Sequence, residues 1–352
     1  MAMKKFINKP ENLVAELLEG YALAYPDKIH LTENHLVVRA FPKEEGKVGI
    51  VTLGGSGHEP ALSGWVGYGL LDVSVPGEIF AAPGPPRVLE ALRLADRGAG
   101  VLLIVLNHAG DMMTGNMTMQ LAKKEGLNVV KVVTQEDVSN APREDADNRR
   151  GLMGCLPVYK VAGAAAEAGL PLKDVAAIAQ RIADNMATIA VAAAPATHPV
   201  TGQPFFSLPD DEMEVGMGQH GEAGSGRMKM KTADETVDIM LNALLKDLDV
   251  KEGDELLVML NGTGATTLME LYILFRRISQ VLSEKKVKLV RAKVGEFLTV
   301  QEQAGFQMFI ARLDPELIRL WDAPCDSAFF TVAPADLAKY TAMTSGELKA
   351  GR

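Results

Sequence analysis

Cysteine is scarce in this sequence. Two cysteines, Cys155 and Cys325, stand far apart among 352 residues, and no CxxC pair occurs. This argues against a disulfide scaffold and against a thiolate zinc site, so both thiols are expected to behave as small, buried apolar side chains. The six histidines form no HxH or HxxxH pair, and we therefore expect no metal site on this chain.

Long hydrophobic runs and clusters of positive charge are also absent. Apolar runs such as VLLIVLN are much shorter than the roughly 20 residues that cross a membrane. The opening stretch MAMKKFINKPEN has no apolar segment of the kind that a secretory signal contains. The formal net charge is −9 without a basic stripe, which argues against nucleic-acid binding. We expect a cytoplasmic protein that binds neither membranes nor nucleic acids.

Short β-branched runs alternate with amphipathic stretches along the whole chain. KVGIVTLGG, VLLIVLN and NVVKVVT are predicted strands, whereas PPRVLEALRLADRG, with proline at its start and glycine at its end, is a predicted helix. This alternation predicts an α/β fold in which mixed or parallel sheets are flanked by helices. The length indicates two domains, which we place at residues 6–187 and 188–330, followed by a polar tail at residues 331–352.

Two glycine-framed loops follow predicted buried strands. LGGSGHEP, residues 53–60, contains His58, and LNHAGDMMTGN, residues 106–116, contains Asp111. Ligands of open α/β sheets bind at the carboxyl ends of parallel strands, so both loops are candidates for a binding site. Asp111 can act as a base or cap the helix that follows. His58 can donate to a ligand, or it can be a capping or packing residue of a tight turn.

A third loop, VGMGQHGEAGSGR at residues 215–227, surrounds His220 with glycine. Its letters fit GxGxxG, but the strand before and the helix after that a dinucleotide site needs are missing. No GxxxxGK[ST] motif occurs. The stretch NGTGATT, residues 261–267, follows a predicted strand and either holds a phosphate at a helix N-terminus or is a plain turn.

The three loops together favour acid–base chemistry on a small polar substrate. Imidazole with an ordinary pKa is largely neutral at pH 7, and neutral histidine can form covalent intermediates. A second histidine and a carboxylate can then move protons. The residues alone do not identify the substrate.

Seven motifs in order along the chain resemble those of one family, the dihydroxyacetone kinase K subunit, DhaK. They are GGSGHEP, PGEIF, NHAGD, RRGLMG…KVAGAAAEAG, EMEVGMGQHGEAG, TGATTLMELY and LWDAP. The resemblance extends from about Phe6 to about Phe330. It implies two α/β domains, a homodimer, and a phosphotransferase that acts on the alcohol group of a short ketose.

The resemblance also implies roles for individual residues. His220 matches the histidine that binds the substrate ketone as a hemiaminal through its distal ring nitrogen. His58 matches the histidine that contacts substrate and assists proton transfer, and Asp111 matches the base toward the hydroxyl that receives the phosphoryl group. The substrate-contacting turn of the family matches Gly55, Ser56 and Gly57.

The phosphoryl donor of this family is carried by an all-helical L subunit or L domain, as Mg-ATP or as a tightly held ADP that a phosphohistidine relay rephosphorylates. The resemblance thus implies no cofactor on this chain and a separate L-type partner. The absence of a nucleotide motif agrees with that division.

Departures from the family pattern cluster at the substrate end. Leu106 stands where many members have lysine, His108 and Ala109 replace a Tyr-Thr pair, and Ala81 and Ala82 replace Thr-Ser. A kinase subunit for erythrulose instead of dihydroxyacetone is therefore a second hypothesis. A non-catalytic ketose-binding regulator is a third, and an isomerase or lyase that uses the hemiaminal is a fourth.

Overall fold

The computed structural model describes residues 5–218, 222, 224 and 226–334. In chain order, the first half contains α1 (Leu13–Ala24), β1 (Ile29–Leu31), β2 (Val37–Arg39), β3 (Gly49–Ser56), β4 (Gly67–Tyr68), β5 (Val73–Ile79), α2 (Pro85–Ala95), β6 (Val101–Leu106), α3 (Ala109–Lys124), β7 (Val129–Thr134), α4 (Cys155–Glu167) and α5 (Leu172–Asp184). The second half contains β8 (Met186–Ala194), β9 (Glu212–Val215), β10 (Gly226–Lys229), α6 (Ala233–Asp247), β11 (Glu255–Gly262), α7 (Leu268–Glu284), β12 (Lys288–Gly295), β13 (Ala304–Arg312), α8 (Pro315–Asp322), β14 (Cys325–Ser327) and β15 (Thr331–Val332).

The first sheet has the strand order β1-β2-β5-β3-β6-β7. Its four strands from β5 to β7 are parallel, and β1 and β2 form an antiparallel edge. All six residues of β6 are buried, because helices cover both faces of the sheet. Val51 and Leu103 lie in the core that α2 contributes to, whereas Ile50 and Ile104 lie in the core that contains α4 and α5.

The second sheet has the strand order β10-β9-β8-β13-β11-β12 and is largely antiparallel, with only β11 and β12 parallel among its described pairs. Alternate side chains of its strands enter different cores. Val258 and Ile310 pack with residues of α6 and α7. Met259 and Phe309 point the other way, into the same core as Ile50, so one hydrophobic core joins the two halves.

The predicted α/β class, with mixed sheets flanked by helices, is confirmed. The predicted burial of Cys155 and Cys325 is also confirmed. The division at residue 188 stays a prediction, although the first strand of the second sheet begins at Met186. No described helix is both long enough and apolar enough to span a membrane.

The segment before α4 runs extended beside the ends of β6 and β7, where Gly151 donates to the Asn107 carbonyl, and the helix begins at Cys155. Two local predictions are corrected. The glycine-rich stretch connects the paired strands β9 and β10. The predicted tail is wrong at its start: Thr331 pairs with Asp326 in a small third sheet of order β15-β14-β4.

Glu136, just after β7, fixes the segment that leads into α4. One carboxylate oxygen accepts the backbone N–H groups of Leu152 and Gly154, each at 2.8 Å. The side chain is buried, with 1% exposure. Burial, to which the charge of Asp137 adds, raises the pKa of Glu136 to about 7, so this carboxyl is neutral in the folded protein at mildly acidic pH.

We expect Glu136→Gln to flatten the pH dependence of stability. A folded-state pKa above the ordinary value of 4.5 means that the stabilising contribution is complete below about pH 4.5 and is lost as pH rises through about 7. Glutamine keeps the acceptor oxygen but does not titrate. The free energy of unfolding of the parent protein, measured by urea titration, should therefore fall relative to the variant by on the order of 1–3 kcal/mol between pH 5 and pH 8.

The matched control is Glu44→Gln, because the Glu44 side chain is 83% exposed. Its difference from the parent should be flat across the same pH range. A flat difference for Glu136→Gln as well would contradict the burial argument.

Candidate active site

A cavity of about 240 Å³ opens at the carboxyl edge of the first sheet. β3 and β6 pair in parallel, with Thr52 opposite Ile104, so the loops that follow them leave from the same edge. The cavity takes residues from both loops and from the second half of the chain. Its lining includes His58, Phe80, Leu106, Asp111, Glu222 and Leu298.

His58 is held by a segment of the second half. Its Nδ1 lies 2.8 Å from the carbonyl oxygen of Thr299, and Thr299 donates in return through its backbone N–H to the His58 carbonyl. Because a carbonyl only accepts, Nδ1 carries the proton, and Nε2 of the neutral ring is the nitrogen that can take one up. The Phe80 ring packs edge-on against the imidazole at 4.9 Å between centroids.

Asn261, at the end of β11, shapes the segment that holds His58. Its side-chain oxygen accepts the N–H groups of Phe297 and Leu298, and its side-chain nitrogen donates to the Leu298 carbonyl. Asn261 is fully buried. The Asn261 side chain thus provides hydrogen-bond partners for backbone groups of this loop that would otherwise be buried without partners.

Asp111 is the third residue of α3 and is 9% exposed. The interpretation as an N-cap is wrong, because His108 occupies the N-cap position and its Nε2 lies 2.7 Å from the Gly151 carbonyl oxygen. In the first turn, the partial positive charge of the helix N-terminus favours the ionised carboxylate of Asp111. The helix therefore presents a carboxylate to the cavity.

The last residues of β3 and Gly57, which follows them, contribute differently to the cavity. Gly55 lines the cavity, but Ser56 and Gly57 are not part of its lining. The Ser56 hydroxyl donates to the Gly77 carbonyl at 2.8 Å. Gly57 has φ +104°, and a Cβ there would lie 2.8 Å from the Phe80 ring. Both residues shape the turn, and direct substrate contact by them stays a prediction.

The two strands that flank the loop containing His220 are paired in a defined register. Val215 of β9 lies opposite Gly226 of β10, and the Gly218 N–H donates to the Glu222 carbonyl at 2.8 Å. His220 lies outside the described residues. Glu222, two positions later, lines the cavity, so the hairpin connection reaches the site.

Arg150 anchors this hairpin connection to the first half. Its guanidinium donates to the Gly216 carbonyl at 2.8 Å and pairs with the fully buried Asp137 carboxylate at 2.7 Å. It also donates to the Ser139 hydroxyl and lies 3.4 Å from the Glu222 carbonyl. The planar guanidinium, with five donors, can make these contacts at once. Sequence reasoning missed Arg150 because its partners lie as many as 72 residues away.

The turn at residues 261–267 leads into α7, and a capping box forms at the start of this helix. The Thr267 hydroxyl accepts the Glu270 N–H, and the Glu270 carboxylate accepts the Thr267 N–H. This capping box occupies two of the N–H groups at the start of the helix. The choice between a plain turn and a phosphate site stays a prediction. Across the described ranges no group of three or more histidine, cysteine, aspartate or glutamate residues could hold a metal ion.

Comparisons with known proteins agree with the motifs around the cavity. The Dak1 domain family matches residues 19–329. The dihydroxyacetone-binding subunit DhaK of the PTS-dependent dihydroxyacetone kinase 1 from Listeria innocua is 37% identical over 314 residues, covering 89% of this chain and 95% of that protein. This chain belongs to the Dak1 family.

Proteins with other names are also similar to this chain. The L-erythrulose kinase of Pectobacterium atrosepticum is 37% identical over 332 residues, which cover 93% of this chain and 56% of that enzyme. The solved structure of the dihydroxyacetone kinase operon co-activator Dha-DhaQ superimposes with a TM-score of 0.84 at 29% identity, covering 89% of this chain and 97% of that one. The predicted family is thus confirmed, while the roles of the individual site residues stay predictions.

We expect Arg150→Ala to destabilise this Dak1 protein strongly. Removing the guanidinium leaves the buried Asp137 carboxylate without its cation, which typically costs about 3–5 kcal/mol. The free energy of unfolding from urea titration measures this loss. Lys229→Ala is the matched control, because Lys229 of β10 pairs with Asp211, just before β9, and the two side chains are 66% and 70% exposed. Exposed pairs contribute about 0–1 kcal/mol, and equal losses in the two variants would contradict the anchoring role.

Proposed function

We propose that this Dak1 protein is the ketose-binding subunit of a short-ketose kinase. It holds the substrate as a hemiaminal on His220 while an L-type partner subunit supplies the phosphoryl group. The observation that carries the proposal is the composition of the cavity, where the His58 imidazole and the Asp111 carboxylate line one space that the His220 loop reaches through Glu222. A volume of about 240 Å³ is below the roughly 300–1,000 Å³ of drug-sized sites and suits a substrate of a few carbon atoms.

The covalent step adds the N–H of an imidazole across a carbonyl. The distal nitrogen of His220 forms a bond to the ketose carbonyl carbon, the C=O π electrons move to oxygen, and that oxygen receives a proton while the ring loses its own. No water leaves. The bond selects ketoses over polyols such as glycerol, because polyols have no carbonyl carbon to accept the nitrogen.

Two residues of the first half move the remaining protons. His58, with Nδ1 committed to the Thr299 carbonyl, can take up and return a proton through Nε2 near the new hemiaminal oxygen. Asp111 accepts the proton of the terminal hydroxyl while that oxygen forms its bond to phosphorus. The bond between phosphorus and the donor oxygen breaks at the same time, so the donor leaves with its electron pair.

The phosphoryl donor belongs to the partner in this proposal. Mg-ATP, or ADP recharged by a phosphohistidine relay, would be held by an L-type subunit. The relative from Listeria innocua is itself named as one subunit of a PTS-dependent kinase. The L-erythrulose kinase is longer, and this chain spans 56% of it, which leaves room there for a second part. A homodimer of this chain is part of the same proposal.

The natural ketose has three or four carbons in this proposal. Leu106, at the end of β6, and Ala82 line the cavity with apolar atoms, where the family pattern often has polar side chains. Each lost hydrogen bond weakens the binding of a small polyhydroxy ketone by about 0.5–1.5 kcal/mol. The space left by small side chains, in contrast, admits a further carbon atom of the substrate. Dihydroxyacetone and erythrulose are both named as substrates of similar proteins.

A ketose-responsive regulator is the second candidate function. The co-activator structure shares this fold over 97% of its length. The ability to transfer a phosphoryl group distinguishes the two candidate functions. A sensor has to capture the ketose, but it needs no base to deprotonate a hydroxyl group. The carboxylate of Asp111 in the cavity favours the kinase.

We expect His220→Ala to lose covalent capture. The parent protein, incubated with dihydroxyacetone, D-erythrulose or L-erythrulose, should gain the full mass of the ketose in an intact-protein mass spectrum, and glycerol should give no adduct. His30→Ala is the matched control, because His30 is an exposed residue of β1, and it should retain the adduct. A normal adduct on His220→Ala would place the nucleophile elsewhere.

We expect Asp111→Asn to capture ketose normally but to transfer the phosphoryl group slowly. Asparagine keeps the size of the side chain and removes the base, whose contribution is about 10²–10⁴-fold. Single-turnover phosphorylation with a DhaL-type subunit supplied measures the loss. Asp174→Asn, in the exposed first turn of α5, controls for the charge at a helix N-terminus. Full activity of Asp111→Asn would leave only a structural role for this carboxylate.

A further inference from the structure

A second cavity of about 380 Å³ lies directly beside the candidate active site. It occupies the β5 side of the carboxyl end of β3, where Ser74 and Pro76 line it, whereas Leu106 of β6 lines the active-site cavity on the other side. Residues of helix α1 and Phe329 also line the second cavity. No step of the proposed mechanism uses this space.

Three residues line both cavities, namely Gly54, Gly55 and Leu62. Two of them have no side chain, so Leu62 is the side chain that stands between the two spaces. It is 7% exposed, and a Cβ on Gly54 would lie 2.5 Å from its Cδ1. The leucine therefore packs directly on the glycine backbone and completes a thin wall.

The lining of the second cavity fits an uncharged apolar chain. Tyr21, Tyr25 and Phe329 contact one another with ring centroids 5.5–6.0 Å apart, and Leu17 and Leu18 add aliphatic surface. The Tyr21 hydroxyl donates to the Ser63 carbonyl. Methylene groups gain free energy by leaving water for such surroundings.

An anionic chain does not fit the same space. Glu16 and Glu59 are both among its lining residues, and the Glu59 carboxylate accepts the Gly57 N–H at 3.0 Å. Burial raises the pKa of Glu59, which is the response of a carboxyl group in surroundings that disfavour negative charge. A ligand that brings a second negative charge would meet the same penalty.

We propose that Leu62 is the specificity-determining residue of this protein. The Leu62 side chain limits the ketose site to substrates with a short carbon chain. The second cavity, on the other side of Leu62, is the space that the alkyl tail of a longer 1-hydroxy-2-ketone would enter. The proposal rests on the proposed function, because the carbonyl and the terminal hydroxyl stay with the catalytic groups while the tail extends past the end of β3.

The test compares dihydroxyacetone with 1-hydroxy-2-hexanone in the full chain. Adduct formation is read by intact mass, and kcat/KM for phosphoryl transfer is read with a DhaL-type subunit present. Leu62→Ala should raise the preference for the hexanone by at least about tenfold, the discrimination that methylene groups confer in an apolar pocket. Leu62→Met, which conserves volume, should keep the parent selectivity.

A second-site variant tests whether the tail enters this particular space. Gly20 of α1 lines the second cavity, and a Cβ there would have no atom within 4 Å. Gly20→Leu should therefore fill the compartment and cancel the gain of Leu62→Ala. Gly20→Leu alone should leave the reaction of dihydroxyacetone unchanged.

The outcomes separate this inference from the proposed function. If the parent protein captures no ketose at all, the proposed function fails. If Leu62→Ala captures dihydroxyacetone but gains nothing with the hexanone, or if Gly20→Leu does not cancel the gain, the specificity role of Leu62 is wrong. Leu62→Val, a smaller truncation, replaces Leu62→Ala if that variant does not fold, and it should show a smaller gain in the same direction.

Discussion

The parallel pairing of β3 with β6 is the constraint on which the candidate site depends. Because the two strands run side by side in one direction, their carboxyl ends share an edge and bring His58 and Asp111 to one cavity. Both strands are buried by helices on either face, so the register is set by the hydrophobic core and not by the catalytic side chains. The chemistry of the loops can vary without disturbing the frame beneath it.

The second half of the chain contributes hydrogen bonds that position the site residues of the first half. The Thr299 carbonyl accepts a hydrogen bond from Nδ1 of His58. The loop that contains Thr299 is in turn shaped by the buried amide of Asn261. The tautomer of an imidazole in one half is thus determined by a carbonyl in the other. Arg150 makes the reverse connection by holding Gly216 of the hairpin against the first half. The two halves act as one site because hydrogen bonds cross between them in both directions.

The sequence predicted the α/β class because buried strands and amphipathic helices differ in period. It also named the loops of His58 and Asp111 as candidates for a binding site, since ligands bind where parallel strands end, and both residues line one cavity. The roles of Arg150 and Asn261 depend on partners distant in the chain, which no local pattern indicates. Likewise Leu62 is an ordinary apolar residue in the sequence, and only the two cavities on either side of it distinguish it. The strands β9 and β10 were missed because pairing with a neighbour, not composition, makes them strands.

The thin wall beside the candidate site follows from the packing at the carboxyl end of β3. A Cβ on Gly55 would lie 2.7 Å from the backbone nitrogen of Ala81, and a Cβ on Gly54 would collide with Leu62. Side chains are therefore excluded from these two positions of β3, because neighbouring backbone and the leucine already occupy that space. The separation of the two cavities has to come from a residue outside the strand. Leu62 provides it from the following loop, where a change of side chain alters the wall without altering the sheet.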